Sequence, residues 1–424
     1  MMKRGKEMSE RQKEIEKTNE VPARAWLMVL ALFVTGIAMA YAQNKVMAII
    51  PLVQADLNVG AQVAGWISSI FVVLGIIMAF PAVGIVRKLG LFKSGLISII
   101  ITLVGGMLGF FAPEQYTLLA SRVLEGFGLG LISIVAPSAI NMWFPPEKRG
   151  LPMGIWSAWQ MVAIAAGFLL SGTIIGPDSQ WKNMWILGIA LLIVALVLYC
   201  AFVRPAPAKY NHADVEDSSV KITEVFKHRS IYIMAIGGLG FGMAIMTFAT
   251  WISTYWQTMA GLDASSANGI VGYVYLAEIF TAILGGFILT KVKNRKRFVA
   301  IDGILYGAVF FAAFHVVGDA GIAIVCVLYC VIEGIFAAAM WTLVAQTVPD
   351  QRLAGAATAF YSMFLNLGQM LGAPLAGAIL DATNMAGWGY VAIFAAVCQV
   401  VGGVCFGAMR LYNEKGEEVE KIFG

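Results

Sequence analysis

The chain has 424 residues, of which 59% are hydrophobic and only 13% are charged, with a formal net charge of +4. A soluble domain carries nearer a quarter of charged residues, so this composition excludes a globular enzyme with one anchor and indicates a polytopic membrane protein. The five cysteines lack paired spacing and the three histidines are scattered, which predicts packing thiols, no metal site and no cofactor.

The chain opens on a charged segment, residues 1–24, that has no apolar core and therefore predicts a cytoplasmic tail, not a secretory signal. Apolar segments long enough to cross a bilayer then follow one another to the C-terminus. We name them spans 1 to 12: 25–53, 63–86, 94–112, 117–140, 151–175, 183–203, 230–258, 267–290, 298–317, 321–345, 353–380 and 388–409.

A polar linker, 204–229, divides the spans six and six. This predicts an all-α membrane protein with an N-terminal bundle at 25–203, a C-terminal bundle at 230–410 and a cytoplasmic tail at 411–424. Basic residues collect in the loops of one side, most densely in the run "KVKNRKR", whereas the loops of the other side hold only Lys182. By the positive-inside rule, both termini are predicted to be cytoplasmic.

The second half repeats the first. "LASRVLEG" (119–126) in span 4 matches "VLYCVIEG" (327–334) in span 10, and each is followed by a similar turn, "NMWFPPEKRG" (141–150) or "QTVPDQRLAG" (346–355). Two parallel six-helix repeats are typical of secondary transporters, so the repeat predicts transport by alternating access. No nucleophile–base or metal constellation favours an enzyme.

These motifs resemble the major facilitator superfamily over all twelve spans. "RVLEGFGLG" (122–130) is similar to the arginine and glycine pattern of that family's span 4, and the loop 87–93 lies where the family has a basic loop, although its usual aspartate is missing. The resemblance implies two pseudo-symmetric bundles, a multi-pass protein of the cell membrane and a monomer whose partners are lipid and a small molecule, not nucleic acid.

The resemblance also bears on the substrate. "WFPPEKRGLPMG" (143–154) resembles branches that carry small or organic anions, whereas the glycine-proline motif of many drug:proton antiporters is missing from "AAGFLLSG" (165–172). The cations that nitrate porters carry in spans 2 and 8, and oxalate:formate exchangers in spans 8 and 11, are also missing. An anion is therefore implied, but neither of those substrates.

Two cations lie within the predicted membrane, Lys45 in span 1 and Arg122 in span 4. At one level on facing helices they would attract the anionic group of a substrate, and the polar neighbours Tyr41 and Asn44 predict a wet face there. Two alternatives stay open: Arg122 pairs with Glu125 one turn away, and Lys45 extends outward to the membrane surface, six residues before the Pro51 that is expected to end span 1.

Three carboxylates are predicted to handle protons: Glu125, Glu333 and Glu278. Burial favours the protonated form and a nearby arginine the ionised form, so Glu333, with Cys330 in the place of Arg122, is the preferred proton carrier. Structural hydrogen bonds to neighbouring helices are the alternative.

Aromatic and amide side chains complete the predicted substrate site, although some aromatic residues of these spans must belong to the interfacial belt. Those assigned to the site are Trp159, Gln160, Trp251, Tyr255, Tyr361 and Gln369. The sequence thus predicts a secondary transporter for a small or organic anion, coupled to protons or working by exchange. A proton-coupled efflux antiporter for hydrophobic or cationic compounds, and a transporter-like receptor, are the alternatives.

Overall fold

The computed structural model describes residues 21–78, 81–207, 210, 222–413 and 416–419, without the side chains of 83, 222 and 223. Most of the predicted N-terminal tail, half of the predicted linker and half of the predicted C-terminal tail lie outside these residues. The described chain is helical apart from a short antiparallel hairpin, β1 (Leu411–Tyr412) and β2 (Glu418–Val419), which pairs Leu411 with Val419.

The first half forms spans 1 to 6, several of them from broken helices. A 3₁₀ turn, Met47–Ile49, connects α1 to α2, and Pro146–Lys148 connects α6 to α7. The helices are α1 (Ala23–Asn44), α2 (Ile50–Leu57), α3 (Ala61–Ser69), α4 (Val72–Met78), α5 (Pro81–Phe110, interrupted at Gly90), α6 (Gln115–Trp143), α7 (Gly150–Ser157), α8 (Trp159–Ile175) and α9 (Asn183–Phe202).

The second half forms spans 7 to 12 from longer helices. One 3₁₀ segment, Ile222–Lys227, precedes the first of these helices. Two more, Ala345–Thr347 and Gln351–Leu353, lie between α13 and α14. The helices are α10 (Arg229–Met259), α11 (Ala264–Lys291), α12 (Arg295–Ala313), α13 (Asp319–Val344), α14 (Ala354–Ala382) and α15 (Trp388–Ala408).

Within the described residues, ten helical segments are long and apolar enough to cross a membrane, and the bent pair α3–α4 makes eleven. The twelfth predicted span corresponds to α12, which is less apolar than the others. Its average hydropathy is lowered by three basic residues in its first turn, Arg295, Lys296 and Arg297, and by Asp302. The predicted all-α membrane fold of two six-helix bundles is confirmed, while the cytoplasmic location of both termini stays a prediction. We use that prediction to name the two ends of the bundle: the inner end is the one where the termini lie, and the outer end is the opposite one.

The exterior of the bundle is strongly apolar. Large side chains such as Phe280, Ile283 and Val327 are more than 60% exposed on the surface. A water-soluble protein rarely exposes such a continuous apolar surface, whereas lipid tails solvate it without cost. The helix faces left bare by protein packing are therefore the faces that meet the bilayer.

The repeated "EG" pair is explained in part by helix packing. A methyl group added at Gly126 would lie 1.8 Å from the carbonyl oxygen of Phe71, and one added at Gly334 would lie 2.4 Å from the backbone of Thr281. Small residues let helices in membranes approach this closely. The glycine of each repeat thus serves contact with a neighbouring helix, which leaves the glutamate as the chemical part of the motif.

Span 1 differs from its predicted form. Pro51 was expected to end the span, but it lies in the first turn of α2, a position that suits proline because the first turn has no intrahelical use for its missing N–H. The chain breaks instead between Asn44 and Ile50. Span 2 breaks similarly, with a bend of 44° between Ser69 and Val72. Each break leaves carbonyl groups of the last helical turn without their usual partners.

The two halves meet at the predicted outer end through α3 and α14. The carboxylate of Asp381, in the last turn of α14, accepts hydrogen bonds from the N–H groups of Ala61 (2.7 Å) and Gln62 (2.8 Å). These groups open α3, whose N-cap, Gly60, has no side chain to bind them. Asp381 therefore caps a helix of the other half.

Further hydrogen bonds join the halves close to this cap. Ser68 Oγ and Thr250 Oγ1 lie 3.0 Å apart, Ser69 Oγ donates to the carbonyl of Met370 (2.7 Å), and Asn268 Nδ2 donates to Ser171 Oγ (2.9 Å). We call these contacts, together with the Asp381 cap, the outer closure.

Replacing Asp381 with alanine is expected to loosen the outer closure. Loss of an N-terminal cap costs about 1 kcal/mol, which corresponds to a roughly fivefold shift towards an outward-open form. The measurement is the rate at which a membrane-impermeant maleimide labels Ser69→Cys from outside, with and without Asp381→Ala. The matched control is Asp263→Ala, since Asp263 caps its own helix α11 through Ser266 N at 3.0 Å. Equal labelling rates in all three proteins would contradict the assignment.

Candidate functional site

Arg122 of α6 is fully buried and holds both helix breaks. Its Nε donates to the carbonyl of Ile67 (3.0 Å), in the last turn before the break in span 2. Its Nη1 donates to Ala42 O (2.6 Å) and its Nη2 to Gln43 O, both in the last turn of α1. The planar guanidinium has donors enough to bind several carbonyls at once, so Arg122 connects spans 1, 2 and 4.

Glu125 lies one turn further along α6, and its carboxylate is shared by two cations. One oxygen accepts from Arg122 Nη1 and the other from Lys45 Nζ, at 2.7 Å. The Lys45 ammonium also donates to Ala42 O and lies 4.4 Å from the ring centre of Trp185. We call Lys45, Arg122 and Glu125 the basic triad, because it carries two positive charges for one negative charge when all three are ionised.

The triad settles two alternatives that the sequence left open. Arg122 does pair with Glu125, as one alternative proposed. Lys45 does not extend to the membrane surface: its side chain is 1% exposed and turned inward to the same carboxylate. The prediction that the two cations lie near each other holds, but neither presents a free charge to solvent in this conformation.

The other predicted residues of the first half lie around the triad. The hydroxyl of Tyr41 approaches the carbonyl of Met184 (3.4 Å), and Asn44 donates to Ala40 O (2.8 Å), so both side chains are engaged within their own half. Trp159 stacks on Trp156 with ring centres 5.1 Å apart, and Gln160 is half-buried beside it.

The predicted aromatic residues of the second half pack within that half. Trp251 Nε1 donates to Ala373 O (3.0 Å), which joins α10 to α14. Tyr255 contacts the rings of Phe314 and Trp388, and Tyr361 contacts Trp341. Gln369 is partly exposed on α14. The assignment of these four residues to substrate binding stays a prediction, and the structure does not join them to the triad.

The second half holds its own buried acids. Glu278 of α11 and Glu333 of α13 are 2% and 7% exposed and close enough to repel each other electrostatically. Oxygen Oε1 of Glu278 has no hydrogen-bond partner in the described part of the chain. The repeated glutamates therefore differ in setting: Glu125 is held by two cations, whereas Glu333 lies near other buried carboxylates, Glu278 among them.

Sequence reasoning missed Gln43. Its carbonyl binds Arg122, and its buried side-chain amide has no partner among the described residues. The polar run "YAQNK" was the available signal, but which of its members faces the triad depends on where α1 ends. Among the described residues, no group of histidine, cysteine and acidic side chains is placed to hold a metal ion.

Comparison with known proteins agrees with this architecture. The hexuronate transporter of Bacillus subtilis (strain 168) is 24% identical over 381 residues, which cover 84% of this chain and 88% of the relative. The D-xylose transporter of Levilactobacillus brevis is 27% identical over 176 residues, covering 41% of this chain and 38% of the relative.

Solved structures show the same fold. A bacterial homologue of the human lysosomal transporter Spinster, in an inward-facing and unoccupied conformation, superposes with a TM-score of 0.77 at 14% identity, covering 91% of this chain and 97% of that one. The nucleoside transporter NupG superposes with a TM-score of 0.73 at 15% identity, covering 90% and 99%. These likenesses establish the fold alone.

The family assignment comes from the sequence profile, which matches residues 28–356. That range includes both helix breaks and the whole basic triad. The chain is therefore a multi-pass membrane transporter, not an enzyme, and it belongs to the Major Facilitator Superfamily.

Proposed function

We propose that this transporter carries an organic monoanion together with a proton. The observation that carries the proposal is the basic triad, in which two buried cations share one carboxylate. Buried charges are retained where they are paired or where they serve a substrate, and a net positive charge inside the membrane suits an anionic ligand.

The triad suggests how the anion and proton are coupled. Glu125 occupies the place next to Arg122 and Lys45 that a substrate carboxylate would take. When Glu125 accepts a proton, its negative charge is lost and the two cations are free to bind the anion. Because one proton and one monoanion enter together, the net charge of the triad is unchanged, which avoids the cost of adding an unpaired charge to a buried site.

The relatives support an anionic substrate. The relative that matches 84% of this chain is named for hexuronate, a sugar acid with one carboxylate. The D-xylose relative matches less than half of this chain, and its named substrate is a neutral sugar. Since identity with both is low, the substrate class is argued from the triad and only supported by the names.

The second candidate function is efflux of cationic or hydrophobic compounds in exchange for protons. Glu278 and Glu333 favour it, because they form a buried acidic pair that would attract a cation. The basic triad opposes it, since a cationic substrate would be repelled from the spans 1 and 4 that hold it. If the protein carries an anion, as proposed above, Glu278 and Glu333 would form a second proton-binding site besides Glu125.

A thermal-shift comparison tests the proposed substrate class. D-Glucuronate and D-glucose differ at one carbon, which carries a carboxylate in the first and a hydroxymethyl group in the second. A ligand that binds only the native state raises the apparent melting temperature, so we expect the purified transporter to be stabilised by D-glucuronate and not by D-glucose. Stabilisation by glucose alone, or by tetraphenylphosphonium and no acid, would contradict the anion assignment.

A further inference from the structure

The side chain of Gln43 is an unfilled hydrogen-bonding group beside the basic triad. It is 0% exposed, it follows Ala42 in the last turn of α1, and its own carbonyl accepts a hydrogen bond from Arg122 Nη2. Neither Nε2 nor Oε1 has a partner in the part of the chain that the structure describes. Burying an amide without partners costs about 1–3 kcal/mol for each unfilled group, so a ligand group that hydrogen-bonds to this amide would recover that free energy.

The face of α1 that carries Gln43 also contacts two aromatic side chains of the same half. Gly36 lies seven residues earlier, two turns away on the same face of α1. A methyl group added at Gly36 would lie 2.9 Å from the ring of Trp156, so this face of α1 runs along the stacked pair Trp156 and Trp159. The face of α1 that carries Gln43 therefore packs, two turns away, against the aromatic pair of α7 and α8, and the backbone of Gln43 itself binds the Arg122 guanidinium.

The chemistry of the amide indicates what it binds. Its NH₂ group donates and its oxygen accepts, which matches a hydroxyl group that also donates and accepts, and matches a pair of neighbouring hydroxyls best. A second carboxylate would meet only the donors, and an aliphatic chain would leave both functions unfilled.

We propose that Gln43 binds hydroxyl groups of the transported anion, and that the substrate class is therefore hydroxylated carboxylates of the sugar-acid type. This inference rests on the proposed function, since the triad supplies the carboxylate site. Gln43 acts as a specificity residue: it selects among anions, whereas Arg122 and Lys45 attract them.

The test compares two acids on the purified full-length transporter. D-Glucuronate and cyclohexanecarboxylate each present a six-membered ring with one carboxylate, but only the first carries hydroxyl groups. We expect the wild type to bind glucuronate at least about tenfold more tightly, the size of one to two neutral hydrogen bonds. We expect Gln43→Leu to lower this preference below about threefold without weakening cyclohexanecarboxylate, and Gln43→Asn to keep part of it.

The outcomes separate this inference from the proposed function. Equal affinity of the wild type for both acids, or a full preference for glucuronate in Gln43→Leu, overturns the role of Gln43 and leaves the anion assignment standing. The second of these results is expected if a buried water fills the amide. Binding of neither acid overturns both proposals. If Gln43→Leu does not purify as a single species, Gln43→Met, which is unbranched and of similar length, gives the same comparison.

Discussion

Replacement of Arg122 with glutamine is expected to lower proton-driven anion uptake in proteoliposomes at least about a hundredfold. Two physical losses combine. The substrate carboxylate loses a charge-assisted partner, and the carbonyls of Ala42, Gln43 and Ile67 lose the donor that holds the two helix breaks together. Each loss of a charged hydrogen bond costs about 1.5–3 kcal/mol, and two of them account for the expected factor.

The controls for Arg122 separate charge from geometry. Arg122→Lys keeps the positive charge, but an ammonium lacks the planar fork that binds carbonyls on separate helices, so we expect it to stay below a tenth of wild-type uptake. Lys45→Gln leaves the guanidinium and both helix breaks in place and is expected to weaken anion affinity with less loss of folded protein. Uptake unchanged in Arg122→Gln, at equal amounts of monodisperse protein, would refute the anion site.

Replacement of Glu125 with glutamine is expected to separate anion movement from proton movement. Glutamine resembles the protonated acid, so Lys45 and Arg122 stay free for the substrate in every step. We expect anion exchange between the two sides to stay within about threefold of wild type, while uptake driven by a proton gradient falls at least about tenfold. A triad reduced to two unpaired buried cations is also destabilised, by about 3–5 kcal/mol, so added anion should stabilise this variant more than wild type.

Glu333→Gln is the matched control for Glu125→Gln, because the same substitution is made at the repeated position of the other half. If Glu125 carries the coupling proton, Glu333→Gln keeps a proton-driven component. If Glu333→Gln instead abolishes proton-driven uptake while Glu125→Gln retains it, Glu333 is supported as the proton carrier and the triad mechanism is contradicted.

The fold was largely predictable from local properties of the chain. Hydropathy alone located the spans, since each must fill hydrocarbon with apolar side chains wherever it lies in the bundle. The repeat of "RVLEG" and "CVIEG" predicted two related halves. The exceptions are the helix breaks. Pro51 lies in the first turn of α2 and does not end span 1, and the sequence cannot separate these two positions because proline is compatible both with the first turn of a helix and with its termination.

The site was predictable only where its members are near in sequence. The spacing of three residues places Arg122 and Glu125 on one face of a helix, and the structure joins them. The ion pair of Lys45 with Glu125 spans 80 residues, and nothing in the local sequence decides between it and an outward-turned lysine. For Glu333 the sequence showed a carboxylate without an arginine, but the neighbouring carboxylate of Glu278 comes from another helix.

By itself, then, the sequence determined a membrane protein of two repeated all-helical halves, with two cations and a small number of acids placed in its spans, because hydropathy, charge and helical spacing are local quantities. Only the tertiary structure decided that Lys45, Arg122 and Glu125 form one buried triad, that the Gln43 amide lies beside it with no partner among the described residues, and that Asp381 caps a helix of the opposite half. Those contacts depend on where the helices break and on which backbone carbonyl and N–H groups the breaks leave without a partner. The positions of the breaks and the partners of these groups are fixed only when separate helices pack together.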